Sequence, residues 1–122
     1  MKPESKFWQE VKKNTPQIQW TRLESWASFG VPDLLGYNDN CGFFMVELKI
    51  QNGKKIHLSP HQILFHSTRT KRNFILVKEA ASRSVKLYES SSVRELVSST
   101  ARPLVRDDWT AIQAQLVGLP AR

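Results

Sequence analysis

Two acidic residues and a lysine stand at the ends of two short apolar runs. Asp33 ends a run that begins at Gly30, and Glu47 and Lys49 end a second run that begins at Phe43. Carboxylate oxygens are the ligands that Mg²⁺ and Mn²⁺ prefer, and an ammonium group can contact a phosphate or a water molecule. The set therefore predicts a site that holds a divalent metal against a phosphate, as a phosphodiester-cleaving enzyme requires.

The spacing of these residues predicts how they meet. The runs 31–37 and 43–50 are typical of strands, and the segment 38–42 between them is rich in residues that favour turns. If the turn centres on Asn40, residues whose numbers sum to 80 face each other, so Asp33 lies opposite Glu47. Side chains alternate along a strand, which puts Glu47 and Lys49 on one face and the apolar residues between them on the core face.

Two interpretations of this pattern stay open. The first is a metal site: like charges directly opposite on a sheet are destabilising, and a bound cation would reverse that penalty. The alternative is an ordinary sheet whose solvent-facing side carries acids and lysines, with Asp33 as a simple turn residue after Pro32.

The chain is basic, which predicts a polyanionic partner. It has 122 residues, 40% of them hydrophobic, with 18 Lys and Arg against 11 Asp and Glu, a formal charge of +7. A compact basic protein commonly binds nucleic acid, although excess charge can also serve solubility alone. Some of the basic residues are clustered, and these are the DNA-binding candidates: Lys12, Lys13, Lys54, Lys55, Arg69, Lys71 and Arg72.

Several classes of protein are disfavoured by the composition. Cys41 is the one cysteine, so an internal disulfide or a four-cysteine zinc site is excluded and a reducing compartment is favoured. The N-terminus has no long apolar run typical of a signal peptide, and no apolar segment is long enough to span a membrane. We expect a cytoplasmic protein, in the host cytoplasm if a phage encodes it, with no small-molecule cofactor.

The order of predicted elements is helix, three strands, helix, two strands and two further helices. Ser59, Pro60 and Gln62 predict a helix that opens with a capping box. Ser92 and Glu95 predict a second capping box. The remaining elements are predicted at 4–14 for the first helix, 17–25 for the first strand, 73–78 and 85–88 for the last two strands, and from 107 to about 117 for the final helix.

This order predicts an α/β protein with a small mixed β-sheet flanked by helices on both faces. We expect a single domain over residues 1–122, with a core at about 4–90 and a helical C-terminal extension at 91–122. Trp109, Ile112 and Leu116 share one face of the last helix; they belong either to the core or to an interface with a second copy.

Three motifs in this order resemble the PD-(D/E)xK nuclease superfamily: Gly30 to Asp33, Glu47 to Lys49, and Leu58 to Gln62. The pattern is most similar to virus-type replication-repair nuclease domains and to Holliday junction resolvases of archaeal and phage type. The resemblance covers about residues 4–90 and implies a restriction-endonuclease-like core. It also implies Mg²⁺ or Mn²⁺ as cofactor and a place in DNA recombination and repair.

The resemblance implies a role for each matching residue. Asp33 and Glu47 correspond to the metal-binding carboxylates, Lys49 to the lysine that orients or activates the attacking water, and Gln62 to a glutamine at the border of the site. Gln62 can alternatively serve only the capping box. Members of the superfamily add a glutamate from the first helix, for which Glu10 is the best match as a catalytic and metal-binding residue. Glu24 is the lesser candidate.

The sequence as a whole favours an Mg²⁺-dependent DNA endonuclease that hydrolyses phosphodiester bonds. Selective cleavage of branched DNA by a homodimer is the first choice, because resolvases act as dimers. One alternative is a nicking, flap-cleaving or restriction-type nuclease. The other is a non-catalytic nucleic-acid-binding module on the same fold. The three histidines, His57, His61 and His66, lack a zinc spacing, and we expect them at the surface or in contact with DNA.

Overall fold

A computed structural model describes residues 2–23 and 30–118 of the chain. This part of the chain contains six strands and four α-helices, with a short 3₁₀ helix at Ser90–Ser92. The elements are α1 (Pro3–Asn14), β1 (Gln19–Arg22), β2 (Leu34–Asn38), β3 (Gly42–Gln51), α2 (Pro60–Thr68), β4 (Asn73–Glu79), β5 (Val85–Glu89), α3 (Val93–Val97), β6 (Val105–Arg106) and α4 (Trp109–Leu116).

The described strands form one mixed sheet in the order β1-β2-β3-β4-β5-β6. Strands β3 and β4 are parallel and the other neighbouring pairs are antiparallel. A parallel pair needs a crossover connection, and α2 supplies it. The predicted fold class, an α/β protein with a small mixed sheet flanked by helices, is confirmed.

Each face of the sheet is covered by its own hydrophobic core. On one face, α1 and α4 contribute buried residues such as Phe7, Val11 and Ile112. On the other face, α2 and α3 pack with the β4 and β5 side chains, among them Ile75 and Val93. Residues beyond position 91 therefore add to both cores, because α3 belongs to the second core and α4 to the first.

The β2–β3 hairpin has the register that the sequence predicts. Leu34 pairs with Val46 and Asn38 with Gly42, so the residue numbers of each pair sum to 80. Phe44, Val46 and Leu48 are buried in the first core, as predicted. The opposite face of β3 is also covered, by α2 and α3, so the alternative of an open, solvent-facing side is wrong for Glu47, which is 2% exposed.

Helix α2 begins as predicted. The Ser59 hydroxyl accepts a hydrogen bond from the backbone N–H of Gln62 at 3.1 Å, and the Gln62 side chain accepts one from the Ser59 N–H at 2.9 Å. These bonds satisfy two of the donors that a helix start leaves unpaired. They also fix the direction of the Gln62 side chain.

The C-terminal elements differ from prediction in two places. Ser92 makes no side-chain capping bond, because it is the last residue of the 3₁₀ helix that leads directly into α3, and the predicted second capping box is wrong. Strand β6 was not predicted, since its two residues form no recognisable run. The predicted start of the last helix is confirmed, with Asp108 accepting from the N–H of Ala111 at 3.0 Å.

No helix in the described ranges is both long and apolar enough to cross a membrane.

Gly30 sets the position of α2, and replacing it tests this packing. It has a φ of +75°, and a Cβ added there would lie 2.3 Å from the carbonyl oxygen of His61. Gly53 has nearly the same φ, +73°, with open space around the added Cβ. Gly53→Ala should therefore cost only the backbone strain, about 1–2 kcal/mol, whereas Gly30→Ala should cost more because α2 must also shift. Urea unfolding of both variants measures this, and equal losses would contradict it.

Candidate active site

Asp33 lies immediately before β2 and points across the hairpin to β3. Its Oδ2 accepts a hydrogen bond from the backbone N–H of Leu48 at 2.9 Å. Since the register continues from Leu34 and Val46, this bond holds the Asp33 carboxylate beside Glu47. The geometric expectation that these two residues face each other is confirmed.

Glu47 lies on β3 beneath the first turn of α2. Gln62 donates from Nε2 to Glu47 Oε2 in a long hydrogen bond of 3.4 Å. The other carboxylate oxygen, Oε1, is buried and has no hydrogen-bond partner. Gln62 thus makes the capping box and also contacts Glu47, so the capping box is not its sole contact.

Burial disfavours the ionised form of both carboxyl groups. Burial raises the pKa of Asp33 to about 7, and the hydrogen bond and negative charge of Glu47 add to this rise. Burial likewise raises the pKa of Glu47, although the hydrogen bond with Asp33 and the charge of Lys49 oppose that rise. Two carboxyls in one buried site behave as a coupled pair that shares a proton.

His66 lies behind Glu47 and is completely buried, so the expectation of a surface histidine is wrong at this position. Its Nδ1 is 2.7 Å from the hydroxyl oxygen of Ser90, and its Nε2 is 3.8 Å from Glu47 Oε1. Burial, followed by the charge of Lys49, lowers the pKa of His66 to about 4, so the ring is neutral at pH 7 and forms no ion pair. Both His66 Nε2 and the facing Glu47 Oε1 are buried and have no hydrogen-bond partner.

Lys49 follows Glu47 by two residues on the same face of β3. Its charge lowers the pKa of Asp33, Glu47 and His66, which shows that the ammonium acts on the whole group. Among the described residues it forms no ion pair. Lys49 also lines a cleft with Glu4 and His57, where a ligand from solvent can reach it.

Glu10 is not brought to the carboxylate pair. It forms an ion pair with Lys78 of β4 and lines a cavity that contains neither Asp33 nor Glu47. The acid of α1 that the structure does bring close is Glu4. It lines a small cleft with Asp33, and its charge raises the pKa of Glu47.

A sequence signal for Glu4 was present and was missed. Phe7, Trp8 and Val11 form the buried stripe of α1, and Glu4 precedes them at the same three- and four-residue spacing. Glu4 therefore lies on the same side of α1 as this stripe, although it is exposed at the start of the helix, whereas Glu10 lies at the edge of the stripe. The lesser candidate Glu24 falls outside the described residues.

The residues around Asp33 and Glu47 fit a divalent cation that keeps several of its water molecules better than one held by protein ligands alone. No group of three or more His, Cys, Asp or Glu within residues 2–23 and 30–118 is close enough to hold a metal. Mg²⁺, however, keeps several waters and commonly binds through one or two carboxylates and the substrate phosphate. A buried carboxylate oxygen without a partner and a proton shared by two acids both fit that mode of binding.

The predicted DNA-binding residues lie in separate places. Lys54 and Lys55 are exposed in the turn after β3. The basic cluster of Arg69, Lys71 and Arg72 precedes β4. The first residue of β4 pairs with Met45 near the start of β3. This cluster and the Lys54–Lys55 cluster therefore lie toward opposite ends of β3. Lys12 and Lys13 are exposed on the last turn of α1.

Arg72 has a role in the fold that the sequence did not indicate. It adopts a φ of +55°, and its guanidinium donates to the carbonyls of Phe43 at 3.2 Å and Leu116 at 3.1 Å. These bonds join β3 to α4. Its binding of DNA stays a prediction, and substituting it would also disturb the fold.

Comparison with known proteins identifies no family. No protein-family model matches the chain, and a search of curated proteins found no match. Among solved structures, the chain is similar to the 1.6 Å structure of Archaeoglobus fulgidus Hjc, described as a Holliday junction resolvase from an archaeal hyperthermophile. The identity is 16%, the match covers 70% of this chain and 72% of that one, and the TM-score is 0.47. A similarity at this level carries no argument about activity, so the function must follow from the site itself.

The raised pKa of Asp33 predicts a particular pH dependence of stability. The folded state holds its proton up to about pH 7, whereas the unfolded chain releases it near pH 4. Stability that is present below pH 4 is therefore lost as the pH rises to about 7. Asp33→Asn removes this loss and keeps an oxygen acceptor for Leu48, so it should be more stable than wild type at pH 8 by roughly 1–3 kcal/mol.

Urea unfolding in EDTA at pH 5 and pH 8 measures this difference. The expected result is a stability gain that is larger at pH 8 than at pH 5. Glu95→Gln, on the exposed surface of α3, is the matched control and should show no such change. An Asp33→Asn effect that is the same at both pH values would contradict the shared proton.

Proposed function

We propose that this chain is a metal-dependent endonuclease that hydrolyses phosphodiester bonds of DNA. The observation that carries the proposal is the buried pair of Asp33 and Glu47, with a raised pKa at both carboxyls and one unpaired oxygen, beside Lys49. A sheet does not gain stability from two opposed buried acids. Such a pair is therefore best explained by a cation that binds there during function.

Asp33 and Glu47 would hold Mg²⁺ or Mn²⁺. When bound, the ion supplies positive charge at the scissile phosphate and lowers the pKa of a coordinated water. Loss of the shared proton from the pair accompanies binding, so affinity for the metal should rise with pH.

The surrounding residues divide the remaining tasks. Lys49 has no described ion-pair partner and is free to contact the attacking water or a phosphate oxygen. Gln62 orients one oxygen of Glu47 through its 3.4 Å bond. The neutral His66 ring, held by Ser90 at 2.7 Å, limits rotation of Glu47 from behind and excludes water from that side. Glu4 is the proposed third carboxylate, in place of Glu10.

The proposed substrate is DNA, in particular branched DNA such as a four-way junction. The charge of +7 suits contacts to the phosphate backbone. One chain carries one candidate site, so symmetric cleavage of two strands requires two copies, and a homodimer is proposed. Ile112 and Leu116 are fully buried in the first core, and Trp109 packs against it partly buried. Exposed Phe43 and Leu64 offer more apolar surface for an interface.

Cleavage assays test the proposal. Wild-type protein should cleave DNA with Mg²⁺ or Mn²⁺ and not with EDTA. Asp33→Asn and Glu47→Gln should each lower the single-turnover rate by at least about 100-fold while binding of DNA in EDTA persists, because the substitutions remove negative charge. Glu95→Gln is the matched control and should cleave like wild type. Full Mg²⁺-dependent activity in either site variant would refute the assignment.

The same assay separates the finer possibilities. Glu4→Gln should cleave more slowly than Glu10→Gln if α1 supplies the third carboxylate through Glu4. Faster cleavage of a four-way junction than of linear duplex supports resolution of branched DNA. Preference for flaps or nicks supports the alternative nucleases, and DNA binding without cleavage under any metal supports the non-catalytic module.

A further inference from the structure

A second polar cavity lies on the same face of the sheet as Glu47 and Lys49. It has a volume of about 140 Å³ and is lined by residues of β3, β5, β6 and the segments around α3. We call it the basic pocket, and the residues that define it are Lys54, Lys86, Tyr88, Ser99 and Arg106. None of the functional assignments above uses Lys86, Tyr88, Ser99 or Arg106.

The polar side chains of the basic pocket are suited to an anion. Lysine and arginine are donors only, and hydroxyl groups can donate. No carboxylate lines the pocket; the nearby Glu79 accepts from Lys86 at 2.8 Å. Three cations less this one acid leave a net charge of +2. Arg106 forms no ion pair with any described residue.

Tyr88 adds a neutral donor in the wall of the pocket. Its ring is packed in the second core, and the residue is 5% exposed. The hydroxyl makes no hydrogen bond within the described ranges and is not among the buried atoms without a partner, so solvent in the pocket can reach it. A hydroxyl in the wall of a cationic cavity can donate a hydrogen bond to an anion that enters the cavity.

The strand register places the basic pocket at a defined position relative to the candidate active site. Lys49 pairs with Val77, Val77 with Lys86, and Lys86 with Arg106, so these four residues form one row across the sheet. Glu47, Ile75 and Tyr88 form the neighbouring row. With about 4.8 Å between strands, Lys86 lies roughly 10 Å and Arg106 roughly 14 Å from Lys49.

We propose that the basic pocket binds a backbone phosphate of the DNA whose scissile phosphate lies at Asp33, Glu47 and Lys49. Phosphates repeat about every 3.4 Å of the duplex axis on each strand, so a strand that runs along the row places at least one further phosphate within about 14 Å of the scissile one. This assignment rests on the proposed nuclease function. It gives the enzyme a second fixed point on the DNA and so sets the direction in which the strand crosses the active site.

Binding of duplex DNA in EDTA, measured over a range of salt concentrations, tests the pocket without cleavage. Arg106→Gln should weaken binding roughly tenfold at low salt and reduce the slope of log affinity against log salt by about 1. Arg94→Gln, on the exposed surface of α3 outside the pocket, removes the same charge and should leave the slope unchanged. Thermal unfolding checks that both variants are folded.

Tyr88→Phe is the second variant, because it removes the hydroxyl and keeps the packing. It should weaken binding by roughly three- to tenfold with an unchanged salt slope, since the lost donor is neutral. The proposal is overturned if Arg106→Gln behaves like Arg94→Gln, or if Tyr88→Phe binds like wild type. Absence of cleavage by the wild-type protein would instead refute the nuclease function, because the binding measurement does not depend on it.

Discussion

The opposition of Asp33 and Glu47 across the β2–β3 hairpin is the constraint on which the site depends. The hairpin register brings the two carboxyls together, and the Leu48 N–H fixes Asp33 at 2.9 Å. Helix α2 then covers Glu47 and excludes water, which raises the pKa of both groups. Without a cation this arrangement opposes folding near neutral pH, and in the proposed function a divalent cation would occupy it. Lys49, Gln62 and His66 acquire their proposed tasks from their positions around this pair.

Much of the fold was predictable because its signals are local. The turn between β2 and β3 fixed the register, and the Ser59 capping box fixed the start of α2. Strand β6 has only two residues and depends on pairing with β5, which no local pattern reveals. The Ser92 capping box failed because the same residues continue a 3₁₀ turn.

The arrangement of the site was predictable where it depends on short-range features of the sequence. Asp33, Glu47 and Gln62 meet as expected, since the hairpin and the capping box are short-range features. His66 is different, because its burial depends on Ser90 and on Glu47, which are distant in sequence. Glu10 and Glu4 lie on the same helix, and which of them approaches the Asp33–Glu47 pair depends on how α1 crosses the sheet. The row from Lys49 to Arg106 spans four strands and exists only once the sheet is assembled.

Asp33 and Glu47 are proposed to share a proton that a divalent cation displaces. Carbon-13 NMR of the side-chain carboxyls, followed against pH with and without Mg²⁺, measures this directly. We expect one carboxyl of this pair to titrate near pH 7 without metal and well below that value when Mg²⁺ is added. Two carboxyls that titrate near pH 4 without metal, or a titration near pH 7 that Mg²⁺ leaves unchanged, would contradict it.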